Sequence, residues 1–168
     1  MTKAVVPALV LLAIFFNLFG CSYRLGTTNS SQGTLHLVVR NDSLAPQLGS
    51  LVDQEIRKYL LRFGQYKIIK ARKEADFFLK VTLKSYEKFP ESYRAEDTLL
   101  ASGFRMSIQA DLELSSKHGS VLLESSSNGS SSVFREDIST LPRKKQAMQA
   151  LASDLAYQVS LSLLNAAL

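Results

Sequence analysis

One cysteine and two histidines are all the thiol and imidazole metal ligands that the 168 residues offer. A single cysteine excludes an intrachain disulfide framework and any multi-cysteine metal site. His36 and His118 lie far apart in sequence, which disfavours a histidine-based centre. No G-x-S-x-G elbow, glycine–lysine phosphate loop or H-E-x-x-H helix occurs. One histidine falls on the outward side of a predicted strand and the other in a turn, so no Ser/His/Asp set is placed by position. The sequence therefore reads as non-enzymatic, with no metal site and no cofactor. No repeat of solenoid length is visible either. The apolar run Ala4–Phe19 falls short of the ~20 residues that a membrane-spanning helix needs.

What is present divides unevenly. The chain is 46% hydrophobic and 21% charged, which suits a packed core, and its length fits one domain. Much of the apolar excess belongs to Ala4–Phe19, which follows Lys3 and precedes Gly20-Cys21. A short positive start, an apolar stretch and a small residue before a cut make a secretory signal. Leu18-Phe19-Gly20-Cys21 resembles the bacterial lipobox, in which the cysteine is diacylated on sulfur and becomes the mature N-terminus. Phe19 departs from the usual small or aliphatic residue there. The alternative is a short interfacial or core helix with an incidental cysteine. Ser22, unlike an inner-membrane retention signal, points to outer-membrane delivery. Residues 1–20 are thus read as a lipoprotein signal peptide and 21–33 as lipidated Cys21 plus a polar tether. Residues 34–168 form a single domain. Removing 20 residues from 168 leaves 148, enough to bury roughly 70% of the unfolded surface. Losing Lys3 takes the net charge from +5 to +4.

Periodicity sets the element order. Leu35, Leu37 and Val39 alternate as a strand. From Leu44 the apolar positions 44, 48, 51, 52, 56, 60 and 63 have helix spacing, and Gly64 is placed to end that helix. Tyr66–Ile69 is a short strand and Phe77–Lys84 a longer one. Ser102–Leu114 gives the cleanest alternation in the chain. Val121–Ser132 returns after a turn at Lys117–Ser120. Ser139 or Thr140 then caps a last helix with Met148, Leu151, Ala152, Leu155, Val159 and Leu163 on one face. The order β-α-β-β-β-β-α predicts an α+β two-layer sandwich. Its two helices cover one face of a mainly antiparallel four- to five-stranded sheet, leaving the other face polar.

Three features stand apart from the core pattern. Positive charge runs through Arg57, Lys58, Arg62, Lys67, Lys70, Arg72 and Lys73, and Lys80 and Lys84 follow on the polar side with Phe78 and Tyr86. Arg143, Lys144 and Lys145 crowd the start of the last helix, where the macrodipole disfavours cations. Together these cations suggest an anionic partner; export excludes nucleic acid and leaves anionic lipid head groups. The serines of 125–132 read as a polar edge strand with a turn at Asn128-Gly129, the alternatives being a linker or a glycan-like contact surface. Lys88–Leu100 reads as a loop whose Phe89, Tyr93 and Leu99 either meet a partner or fold under the sheet.

The opening Gly20-Cys21-Ser22-Tyr23-Arg24-Leu25 resembles the G-C-G-[YFW]-[HR]-L start of the LPS-assembly lipoprotein family, LptE, with Ser22 in place of a usual Gly. A first strand ending near Asn41, a leucine-rich helix, Ala75-Asp76 before a long strand and a final helix after a basic turn are similar to that family too. The resemblance implies two helices on a four-stranded sheet. It also implies a lipid-anchored plug inside an LptD-type outer-membrane β-barrel, placing lipopolysaccharide in the outer leaflet. By the same resemblance, Arg94, Arg143, Lys144 and Lys145 stand where the family contacts lipopolysaccharide. The competing reading is a general envelope lipoprotein that binds anionic lipid or peptidoglycan without a barrel.

Overall fold

Strict alternation puts every second side chain of a strand on one face. In β4 (Ala101–Ser116) this buries Met106, Ile108, Ala110, Leu112 and Leu114. The computed structural model describes residues 33–93, 101–134 and 140–166, without the side chains of 134 and 140–143. The signal peptide, Cys21, Arg94, Leu99 and Ser139 lie outside the described residues, as does the Arg143 side chain.

Strands β1 (Gly33–Asn41), β2 (Tyr66–Ile68), β3 (Phe77–Tyr93) and β5 (Val121–Phe134) complete one sheet with β4, in the order β2-β1-β3-β4-β5. β1 runs parallel to β2 and β3, while β3, β4 and β5 form an antiparallel meander carrying the longest ladders. Helices α1 (Leu48–Phe63) and α2 (Thr140–Ala166) pack beside one another on a single face. The expected α+β two-layer sandwich is the observed one. Gly64 ends α1 with a φ of 67°, and its N–H donates to Leu60 O at 3.0 Å.

The parallel pairing of β1 with β3 is pinned at its start by Asp76. Its Oδ2 accepts from the Thr34 N–H at 2.9 Å and the Thr34 hydroxyl at 2.7 Å. These two bonds, backbone first, hold the Asp76 carboxyl below its ordinary range.

Four expectations need correction. Helix α1 begins at Leu48, because Asn41 organises the preceding turn by accepting from Ser43 N–H and donating to Ala45 O. Leu44 is consequently 93% exposed instead of on the helix's apolar face. Residues 88–93 are strand, not loop: β3 crosses an irregularity between Leu83 and Tyr86 and continues along β4 to Tyr93. That shift reverses the alternation, so Tyr86 packs against the core where the polar side was expected. Finally, β5 runs without a turn through Asn128-Gly129, with Gly129 opposite Ile108 and beneath Leu155 of α2.

Candidate functional site

The reversal at β3 and the late start of α1 open a cleft of about 760 Å³ at one end of the helical layer. Leu44, Ala45 and Leu51 line one side, Met148 of α2 another, and Tyr86 the sheet side. Lys144 and Lys145 stand at its rim, both exposed, with Gln47 and Gln149 alongside. Burial pushes the Tyr86 phenol above its ordinary value, and its hydroxyl donates to Met106 Sδ at 3.2 Å. It therefore stays neutral and contributes no competing negative charge. An apolar trough with two ammonium groups on its edge, at the positive end of a helix dipole, suits an amphipathic anion.

Of the residues picked out by sequence, the structure brings Lys144 and Lys145 together on this cleft. Arg94 and the Arg143 side chain lie outside the described residues, so their place relative to it is not defined. Leu44, Leu51, Tyr86 and Met148 were not singled out as site residues. The alternation of β3 assigns Tyr86 to the opposite face unless the irregularity after Leu83 is known. The turn residues Asn41–Ser43 before Leu44 and Pro46 after it were the available sequence signal that Leu44 leaves the helix.

The sheet face left uncovered among the described residues is the second candidate surface. Lys80 pairs with Glu113 at 3.3 Å and Lys84 with Asp111 at 3.7 Å, so these cations are matched by carboxylates across the strands. Arg57 and Lys58 on α1 pair with Asp53 and Glu55. The long basic stretch of the sequence is thus partly neutralised within the fold. His36 lies on this face against the Phe78 ring, with Nδ1 3.4 Å from Ile69 O, while His118 occupies an exposed turn. Among the described residues no three His, Cys, Asp or Glu converge on a point where a metal would sit.

Beyond the cleft the strands carry a third surface. Phe89 and Tyr93 are half-exposed on β3, and the Lys88 ammonium sits 3.8 Å from the centre of the Phe104 ring. Glu91 is held below its ordinary range first by the Ser132 hydroxyl and then by Arg105. Phe89 and Tyr93 do not fold beneath the sheet, while Leu99, the third residue of that reading, lies outside the described residues.

Among the described residues no helix is long and apolar enough to cross a membrane. No family model matches the chain, and no curated protein matches it. Solved structures do. One is an uncharacterized lipoprotein B from Nitrosomonas europaea, with TM-score 0.58 and 12% identity, covering 86% of this chain and 93% of that one. Another is a hypothetical protein from Chlamydia trachomatis, with TM-score 0.57 and 13% identity over 78% of this chain and 95% of that one. A third is a minor lipoprotein from Acinetobacter baumannii, with TM-score 0.52 and 11% identity over 77% and 91%. At such identities the likeness is one of fold: two helices on one face of a five-stranded sheet.

Proposed function

We propose that this chain is a non-catalytic envelope lipoprotein, anchored through Cys21 on the periplasmic side of the outer membrane. There it acts as the plug partner of an LptD-type β-barrel in lipopolysaccharide assembly. The observation that carries this reading is the cleft: its apolar trough accommodates acyl chains while Lys144 and Lys145 meet the phosphates of lipid A. The uncovered face, with Lys80–Glu113 and Lys84–Asp111 pairs, suits the polar interior of a barrel better than a hydrocarbon surface. Two of the proteins sharing the fold are described as lipoproteins, which supports the anchor reading of Gly20-Cys21.

The test is purification of the tagged chain from detergent-solubilised outer membrane. A large β-barrel protein should accompany it. Recovery of the acylated chain alone overturns the barrel partnership and leaves an envelope lipoprotein that binds anionic lipid or peptidoglycan. Replacing Lys144 and Lys145 with Glu should abolish salt-sensitive lipopolysaccharide binding while the barrel still co-purifies. Cys21→Ser should leave precursor in the inner membrane, and unchanged fractionation overturns the anchor.

A further inference from the structure

The cations of the long basic stretch that find no carboxylate partner are not scattered. Thr34 of β1 lies opposite Lys67 of β2, and Asp76 N–H donates to Thr34 O at 3.0 Å. Lys117 N–H donates to Asp76 O at 2.8 Å, which brings the β4–β5 turn to the same end of the sheet. The segment carrying Lys70, Arg72 and Lys73 joins β2 to β3 there, and Arg62 lies in the last turn of α1 just before β2. The fold therefore gathers Arg62, Lys67, Lys70, Arg72, Lys73 and Lys117, all exposed, around the point where the chain enters β1. Among the described residues none of the six forms an ion pair, whereas Lys80 and Lys84 on the uncovered face do. Of the two acids in the neighbourhood, Glu74 is exposed, and Asp76 is bonded by Thr34 and feels the Lys117 charge only as a smaller influence without a direct ion pair. Val121 and Leu122, at the start of β5 after the Lys117 turn, are 58% and 49% exposed.

We infer that this end of the domain is a docking face for anionic phospholipid head groups, holding only the domain's anchored end at the surface of the membrane that carries its anchor. The inference rests on the lipoprotein reading for the anchor and on the gathered cations for the face. Cations spread over four chain segments make a broad positive surface rather than a pocket, which matches a planar array of charges and not a single ligand. Exposed Val121 and Leu122 beside them suit the apolar boundary beneath head groups. Gly33, where the chain enters β1, lies 12 residues after Cys21 and at this same end, so the anchor tethers the domain by its basic end. Each cation at an anionic surface raises partitioning about five-fold, and lipid chains combined with a basic patch anchor more firmly than either alone.

The experiment uses the full acylated protein, purified from membranes and reconstituted into vesicles of phosphatidylcholine or of an equimolar mixture with phosphatidylglycerol. An amine-reactive reagent then reports each lysine by mass spectrometry. Labelling of Lys67, Lys70, Lys73 and Lys117 should slow about ten-fold in the anionic vesicles and recover at raised salt, while Lys80 and Lys84 stay unchanged. Equal rates in both vesicles overturn the inference, as does protection that spreads equally to Lys80 and Lys84. Substituting Lys67→Glu, Lys70→Glu and Lys73→Glu together should remove the protection of Lys117. Retained protection in that variant overturns the inference too, and protection that needs an added protein assigns the face to that protein instead. The mass of the N-terminal peptide reports acylation separately, so a missing anchor and an inactive basic face give different results.

Discussion

Helix α1 meets the sheet through Leu48, Val52, Ile56 and Leu60, all at most 1% exposed, so large side chains hold its backbone away from β1 and β2. Helix α2 meets β5 differently. A Cβ added at Gly129 would stand 2.8 Å from Leu155 Cβ and 3.0 Å from Leu155 N, so the backbone of α2 lies directly on the strand. Ser127 and Ser131 flank this contact, the Ser131 hydroxyl donates to Ala147 O at 2.8 Å, and Ser130 N–H donates to Asp154 Oδ2 at 2.9 Å. One helix is held by apolar bulk, the other by close approach and polar stitching along the sheet's edge. A shared face can thus be sealed by two packing regimes, and each fails to a different kind of substitution.

Ile56→Ala breaks the first regime by leaving a cavity and should cost about 4 kcal/mol in denaturant unfolding. Gly129→Ala breaks the second by overfilling it. The added methyl meets helix backbone, so a cost of about 2 kcal/mol is expected from the same measurement, though the substitution removes nothing. The carboxylates sharpen the comparison, since Asp76 pins β1 to β3 on the α1 side as Asp154 pins α2 to β5. Because the Asp76 pKa is lowered on folding, its stabilisation is present in full well above the ordinary value of 3.8. It is lost as pH falls past that value toward the lowered one. The advantage of the natural chain over Asp76→Asn in thermal unfolding should accordingly persist at neutral pH and fade in acid. The smallest effect belongs to Ser125, whose buried hydroxyl has no partner among the described residues. Ser125→Ala should leave stability unchanged or raise it by up to about 1 kcal/mol.

Much of the α1 side was legible in the sequence because its determinants are local. Helix spacing from Leu48 to Leu60, the stop at Gly64 and the alternation of Leu35, Leu37 and Val39 in β1 each report on neighbours within a few residues. Ala75-Asp76 stood out only through a family resemblance, and the structure supplies its physical reason in Thr34, 42 residues away. The α2 side was misread because its determinant is a distant surface. Asn128-Gly129 carries turn chemistry, and only the helix above it explains why glycine and serine occupy a straight strand. The cleft was half legible. Lys144 and Lys145 were conspicuous as cations against a dipole, but Tyr86 depended on a strand irregularity that residue alternation cannot announce.

The position of α2 at the end of the element order sets the timing of assembly. β1, the first described strand, pairs with β3, whose first residues lie some forty positions later, and the inner face of β4 and β5 stays bare until α2 arrives. A chain delivered N-terminus first, from a ribosome or through a secretion pore, therefore cannot close its core while its last segment is still in transit. The half of the core under β4 and β5 is therefore sealed only when Leu151, Leu155 and Val159 pack onto it.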